Sequence, residues 1–181
     1  AERFATGLVS LAQTRSVSTD AGSKQARLVK FAMVSNFSNK QAEKYRPLVE
    51  RYAKTYGISS SLVFAIMRTE SNFNPFAVSP APAYGLMQLV PSSGGRDAYK
   101  RAKGSNEMPS KQYLFNAENN IELGTAYLNV LAFDELDEVA DLVSRAYCVI
   151  SAHNTGPSNV QRTFFGSAKQ RDAAIAAINR M

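Results

Sequence analysis

From residue 40 onward, apolar residues recur at intervals of three and four, the spacing of helices that bury one face. Tyr45, Leu48, Val49, Tyr52, Ala53 and Tyr56 form such a stripe, and Ser38-Asn39-Lys40-Gln41 ahead of it reads as a capping box, so 40–56 is predicted helical. Pro47 implies a kink, or a true start near Arg46. Gly57 closes this helix and Ser59–Asn72 forms the next. Asn74–Pro91 carries Pro75, Pro80, Pro82 and Gly85, and is expected as a structured loop or small hairpin. Ser92–Ala102 reads as a short helix, Lys103–Lys111 as a loop, and Ala117–Phe133 as a helix with Ile121, Leu128 and Leu131 on one face. Gly124 on that face leaves room for another helix. Asp137–His153 has the most regular stripe, with Val139, Leu142, Val143, Ala146, Tyr147 and Ile150 predicted to face the core. Gly156-Pro157 ends it and opens a short helix through Phe164, and Gln170–Asn179 makes a last one.

The first third is less regular. Ser16–Ser23 is a polar loop signal, and Gln25–Val34 reads as extended. Residues 1–37 are expected to be an N-terminal segment, the tail of a preceding domain, with one domain over 38–181. Neither alternating strands nor an internal repeat is evident, so the fold class is mostly α.

With 181 residues, 45% of them hydrophobic, the chain can fill one compact core. One Cys and one His exclude an internal disulfide framework and argue against a structural zinc site. No cofactor or metal ion is expected. The longest strictly apolar run, Leu62–Met67, is far below the ~20 residues of a membrane span, so no membrane contact by this chain itself is expected. There is no initiating Met and no signal-peptide pattern, which reads as a mature or trimmed chain. The net charge is +6, and the region 1–56 alone holds 10 Lys/Arg against 4 Asp/Glu, so the excess lies entirely there. No nucleic-acid signature accompanies it. The remainder is neutral, so any attraction to a polyanion is expected from 1–56.

One carboxylate sits on an apolar face. At ~100° per residue, with Leu62 at 0°, Ile66 lies at about 40°, Glu70 at about 80°, Val63 at about 100° and Met67 at about 140°. Glu70 is either half-buried, with its pKa raised by desolvation and by the helix C-terminus, or it curls out to water at a frayed end. Spacing alone leaves both open. A protonated carboxyl near neutral pH can serve as a general acid. Other constellations fail. Cys148 and His153 lie about 140° apart on their helix and do not face each other. The acidic run from Asp134 to Asp141 lacks calcium-loop spacing and reads as a solvated loop and helix N-terminus.

Four ordered motifs carry a resemblance: Glu70-Ser71-Asn72-Phe73-Asn74-Pro75, Ala77-Val78-Ser79, Tyr84-Gly85-Leu86-Met87-Gln88 and Ala152-His153-Asn154-Thr155-Gly156. Together with Asn119–Leu128 they resemble the lytic transglycosylase catalytic domain over about residues 40–165. Ser92–Tyr99 and Pro109–Asn116 are most similar to its membrane-bound lytic murein transglycosylase C group. Where the family usually has Ala-Tyr-Asn, this chain has Ala152-His153-Asn154. The family also tends to continue with a further Tyr-bearing helix, which would fall outside these 181 residues.

The resemblance implies a goose-type, lysozyme-like α-helical domain with a small loop or hairpin lobe. It implies cleavage of the peptidoglycan MurNAc-GlcNAc bond without water, forming 1,6-anhydroMurNAc ends with Glu70 as the single acid and base. The alternatives are a lysozyme-type muramidase on the same scaffold and a catalytically impaired glycan-binding module. Implied substrate contacts are Ser79, Tyr84, Met87, Gln88, Tyr127, His153 and Asn154. From residue chemistry alone, Ser79 could equally bond its own loop backbone. The implied partner is the peptidoglycan glycan strand, not nucleic acid. A monomer in the periplasm, outer-membrane associated through a lipid anchor upstream, is expected.

Overall fold

A computed structural model describes residues 13–19, 22–28 and 37–165, with 176, 178 and 179. The chain divides into two compact units, Ala1–Phe37 and Ser38–Met181.

In the first unit, β1 (Gln13–Thr19) and β2 (Gly22–Leu28) pair antiparallel, with Gln13 opposite Leu28 and Thr19 opposite Gly22. The loop expected at Ser16–Ser23 is therefore mostly strand. Its Ser and Thr residues accept the extended backbone, and the cross-strand ladder satisfies the polar groups that a loop would give to water. Of the extended segment expected at Gln25–Val34, residues 25–28 lie in β2 and 29–34 lie outside the described residues.

The second unit is mostly α, as expected. α1 spans Phe37–Tyr56 with Pro47 inside it. Pro47 neither starts this helix nor breaks it, although Pro47 lacks an N–H to bond the carbonyl four residues back. Burial of Tyr45, Val49 and Ala53 holds the helix through that gap. Ser38, expected ahead of the helix, lies within α1. α2 (Ser60–Ser71) lies within the expected Ser59–Asn72, its first and last residues flanked by Ser59 and Asn72. α3 spans Gly94–Lys103, α4 Lys111–Phe115 and α5 Ala117–Val130, and a π-helical turn continues α5 over Leu131–Glu135. Gly124 of α5 gives way to the Met87 side chain from the 74–91 loop, not to a helix. Among the described residues no helix is long and apolar enough to cross a membrane.

α6 (Leu142–Thr155) corrects the sequence reading most. It starts five residues late because Asp141 caps it, accepting from Ser144 N at 2.7 Å. Of its predicted core stripe, Val139 is buried just ahead of the helix, but the rest faces outward: Leu142 is 74% exposed and Tyr147 69%, with Val143, Ala146 and Ile150 also exposed. The buried side carries Cys148, Val149 and Ala152. Small side chains let α6 settle on the π turn and on α7 (Pro157–Phe165), and close packing there outweighs the larger apolar area on the other side. Of the helix expected at Gln170–Asn179, only 176, 178 and 179 are described.

Candidate active site

Glu70 occupies the last turn of α2 with its side chain 29% exposed. It is half-buried, not curled into water, and burial raises its carboxyl pKa above the usual value. The chain leaves α2 sharply. Asn72 and Phe73 both take left-handed backbone (φ 46° and 63°), and their N–H groups return to Arg68 O and Met67 O. A Phe at positive φ is uncommon, and the burial of its ring holds it there.

That turn throws residues 74–91 back across the end of α2, where a set of side-chain bonds fixes them. The Ser71 hydroxyl lies within hydrogen-bonding distance of Met67 O (3.0 Å) and Leu86 O (2.8 Å), joining helix to loop. The Gln88 amide donates to Gly85 O at 2.8 Å and Ala77 O at 3.2 Å. Asn120, fully buried on α5, spends its whole amide on the loop and its neighbour. It accepts from Met87 N at 2.8 Å and donates to Tyr84 O at 2.9 Å and Leu114 O at 2.8 Å. Gly85 (φ 81°) lies against this amide, and a Cβ there would come within 2.8 Å of Asn120 Cγ. The loop thus requires Gly at 85 on two counts, φ and space.

Two adjoining cavities result. One, of about 240 Å³, is lined by Glu70, Ser79, Ala81, Ala83, Gln88, Val90, His153 and Asn154. The other, of about 340 Å³, shares Gln88, Val90, His153 and Asn154 and adds Ser93, Gly94, Asp97, Tyr127 and Pro157, among others. A more apolar groove beside α6 and α7, with Tyr147, Cys148, Val160 and Ile178, has among its described residues no carboxylate, imidazole or amide side chain. Among the described residues no group of three His, Cys, Asp or Glu side chains could hold a metal ion.

His153 joins the two cavities. Its side chain is 4% exposed, and Nδ1 stands 3.9 Å from Glu70 Oε1, too far for a hydrogen bond. Nε2 is buried without a hydrogen-bond partner. Burial pulls the imidazole pKa down to about 4, so at neutral pH this contact is not an ion pair. The Tyr127 ring lies 5.8 Å away, packed against Gly94. Its hydroxyl is pushed up to about 12, by burial first and then by Asp97 and Glu135.

The cavities bring Glu70, Ser79, Gln88, Tyr127, His153 and Asn154 together. Ser79, however, spends its hydroxyl on its own loop, donating to Ala81 O and accepting from Ala83 N at 3.3 Å. Tyr84 and Met87, implied as substrate contacts, line neither cavity. Tyr84 joins an aromatic group with Phe115 (5.8 Å) under Lys111, and Met87 is fully buried against Gly124. Asn120 was not singled out from the sequence. The signal was present, because Asn120, Leu123, Gly124 and Tyr127 share one helical face, and a polar residue within that stripe is the same irregularity that marks Glu70.

The Transglycosylase SLT domain family matches residues 47–176. The membrane-bound lytic murein transglycosylase C of Pectobacterium atrosepticum is 46% identical over 153 residues, which is 84% of this chain and 42% of that protein. The protein of that name from Yersinia pestis is 42% identical over 171 residues, 94% of this chain and 47% of that one. The chain thus spans less than half the length of these curated relatives. Among solved structures, an inactive mutant of the lytic transglycosylase Slt from Pseudomonas aeruginosa superposes with a TM-score of 0.54 at 31% identity, over 75% of this chain and 20% of that chain. The 70 kDa soluble lytic transglycosylase of Escherichia coli gives 0.54 at 29%, over 75% and 21%. The fold is the lysozyme-like helical one that the motifs implied.

Proposed function

The chain belongs to the SLT-domain transglycosylase family, and on that premise we propose that it is a peptidoglycan lytic transglycosylase with Glu70 as its single acid and base. One observation carries the reading: among the described residues, Glu70 is the only carboxylate lining the smaller cavity, and burial favours its protonated form. The carboxyl protonates the glycosidic oxygen between the MurNAc and GlcNAc units. The resulting carboxylate then takes the proton from the sugar's C6 hydroxyl as that oxygen attacks C1 and closes a 1,6-anhydro ring. No water is consumed, and the substrate's 2-acetamido group stabilises the cationic centre, a substrate-assisted route outside the usual two-carboxylate scheme. Asn154, exposed on both cavities, contacts the sugar's hydroxyl and acetamido groups, while Ser79 and Gln88 shape the wall.

The muramidase alternative has one specific observation behind it: Asp97, a second carboxylate, lines the adjoining cavity. It stands there with the Tyr127 and His153 rings and is absent from the wall around Glu70, which favours the one-carboxyl route. The relatives' membrane-bound names support an envelope location, and we infer with it a lipid anchor upstream and a cleft facing periplasmic peptidoglycan. Digestion of purified peptidoglycan followed by mass measurement of the muropeptides tests the proposal. Products lighter than the hydrolytic ones by one water are expected. Reducing ends would mean a muramidase, and intact sacculi with retained binding would mean a binding module.

A further inference from the structure

We propose that His153 is a positioning residue that works uncharged: it closes the inner side of Glu70 and leaves the site's labile proton on that carboxyl. The inference rests on the reading of Glu70 as the acid. It starts from geometry. A charged imidazole carries an N–H on each nitrogen, and each needs an acceptor when buried. Nε2 is buried and has none. Nδ1 stands 3.9 Å from Glu70 Oε1, beyond hydrogen-bond distance, in a side chain 4% exposed. Protonating His153 would thus put a charged ring in a largely buried place with its Nε2 donor unmet, a costly state.

The groups around the imidazole agree. Glu70 faces it from α2, the Tyr127 ring from α5, and Asp97 of α3 lines the same cavity. Ser79, Gln88 and Asn154 are neutral, and among the described residues no Lys or Arg lines either cavity. No cation therefore stands over Glu70 to hold it ionised. An ion pair would invert the site, since a cationic His153 would favour the carboxylate and remove the acid that the first step needs. His153 supplies instead an aromatic wall that keeps water from one side of the carboxyl and adds no charge. The directions of the two pKa values, Glu70 up and His153 down, follow from that placement.

The chain has one histidine, so a sample labelled with nitrogen-15 at histidine gives one imidazole signal. In the folded protein its nitrogens are expected to keep neutral shifts from about pH 8 down to about pH 5, unchanged by Glu70→Gln. Charging above about pH 6, or a clear change on Glu70→Gln, would show an ion pair and overturn the proposal. The alkaline limb of the pH–rate profile gives a second readout. His153→Phe keeps the wall and should leave the limb within about half a unit, whereas His153→Ala admits water and should move it down by about a unit. A limb that Ala leaves in place would make His153 merely structural. The imidazole titration needs no turnover, so loss of the Glu70 assignment and loss of this one are seen separately.

Discussion

α2 and α6 each bring one ionisable side chain to the cleft, and their surroundings differ in kind. On α2 the apolar stripe of Val63, Ile66 and Met67 is buried, and Glu70 sits on that stripe in the last turn, half in and half out. On α6 the larger apolar stripe points outward, and His153 sits on the side with Cys148, Val149 and Ala152, its side chain almost fully enclosed. The partly open carboxyl can meet a substrate oxygen. The enclosed imidazole can shape the carboxyl's environment and has little surface of its own for the substrate. Two residues 3.9 Å apart therefore divide the work according to which face of each helix is buried.

The largest expected effect lies on the α2 side. Glu70→Gln keeps size and packing but removes the exchangeable proton, and cleavage should fall by at least about 10²-fold while the unfolding midpoint stays close to wild type. Residual turnover near the wild-type rate would remove Glu70 from the chemistry. Stability then separates the two helices. Met67→Ala, at a fully buried site, should cost about 2–5 kcal/mol in denaturant unfolding. Tyr147→Ser, on the outward face of α6, should stay within about 0.5 kcal/mol. A large cost at Tyr147 would mean that the outward stripe is packed after all.

How far the sequence reveals this follows the same division. The extent of α2 and the place of Glu70 on its stripe were legible, because there the periodic face is the buried face. On α6 periodicity pointed the wrong way. Side-chain size made Leu142, Val143 and Tyr147 look like core, and the small residues that permit close helix packing leave a weak hydrophobic signal. The motif loop was legible as a structured segment. Ser79 bonding its own loop backbone was legible as one of two readings, but the internal use of Gln88 was not, because its bonds depend on the turn set by Asn72 and Phe73 and on the distant Asn120. Pro47 within α1 and the hairpin at 13–28 show tertiary packing and strand pairing overriding local breakers and turn formers.

A smaller effect sharpens the contrast through pH. The pKa of His153 is about 4 in the folded chain and near 6.5 unfolded, so below pH 6.5 the unfolded state takes up a proton that the folded state does not. The stability this provides is present above 6.5 and is lost as pH falls towards 4, by up to about 3 kcal/mol. His153→Phe should flatten that part of the stability–pH curve. An unchanged slope would mean the imidazole is already charged in the folded protein. Glu70 acts in the opposite sense: its raised pKa favours folding below the ordinary carboxyl range, and that contribution fades as pH rises.

The central claim is that one carboxyl, Glu70, completes both proton transfers and that the sugar's own hydroxyl, not water, is the nucleophile. Digesting purified peptidoglycan in water labelled with heavy oxygen, then weighing the new glycan ends, tests it most directly. The expected result is 1,6-anhydro ends with no label, absent with Glu70→Gln. Labelled reducing ends would contradict it and make the cleft that of a hydrolase.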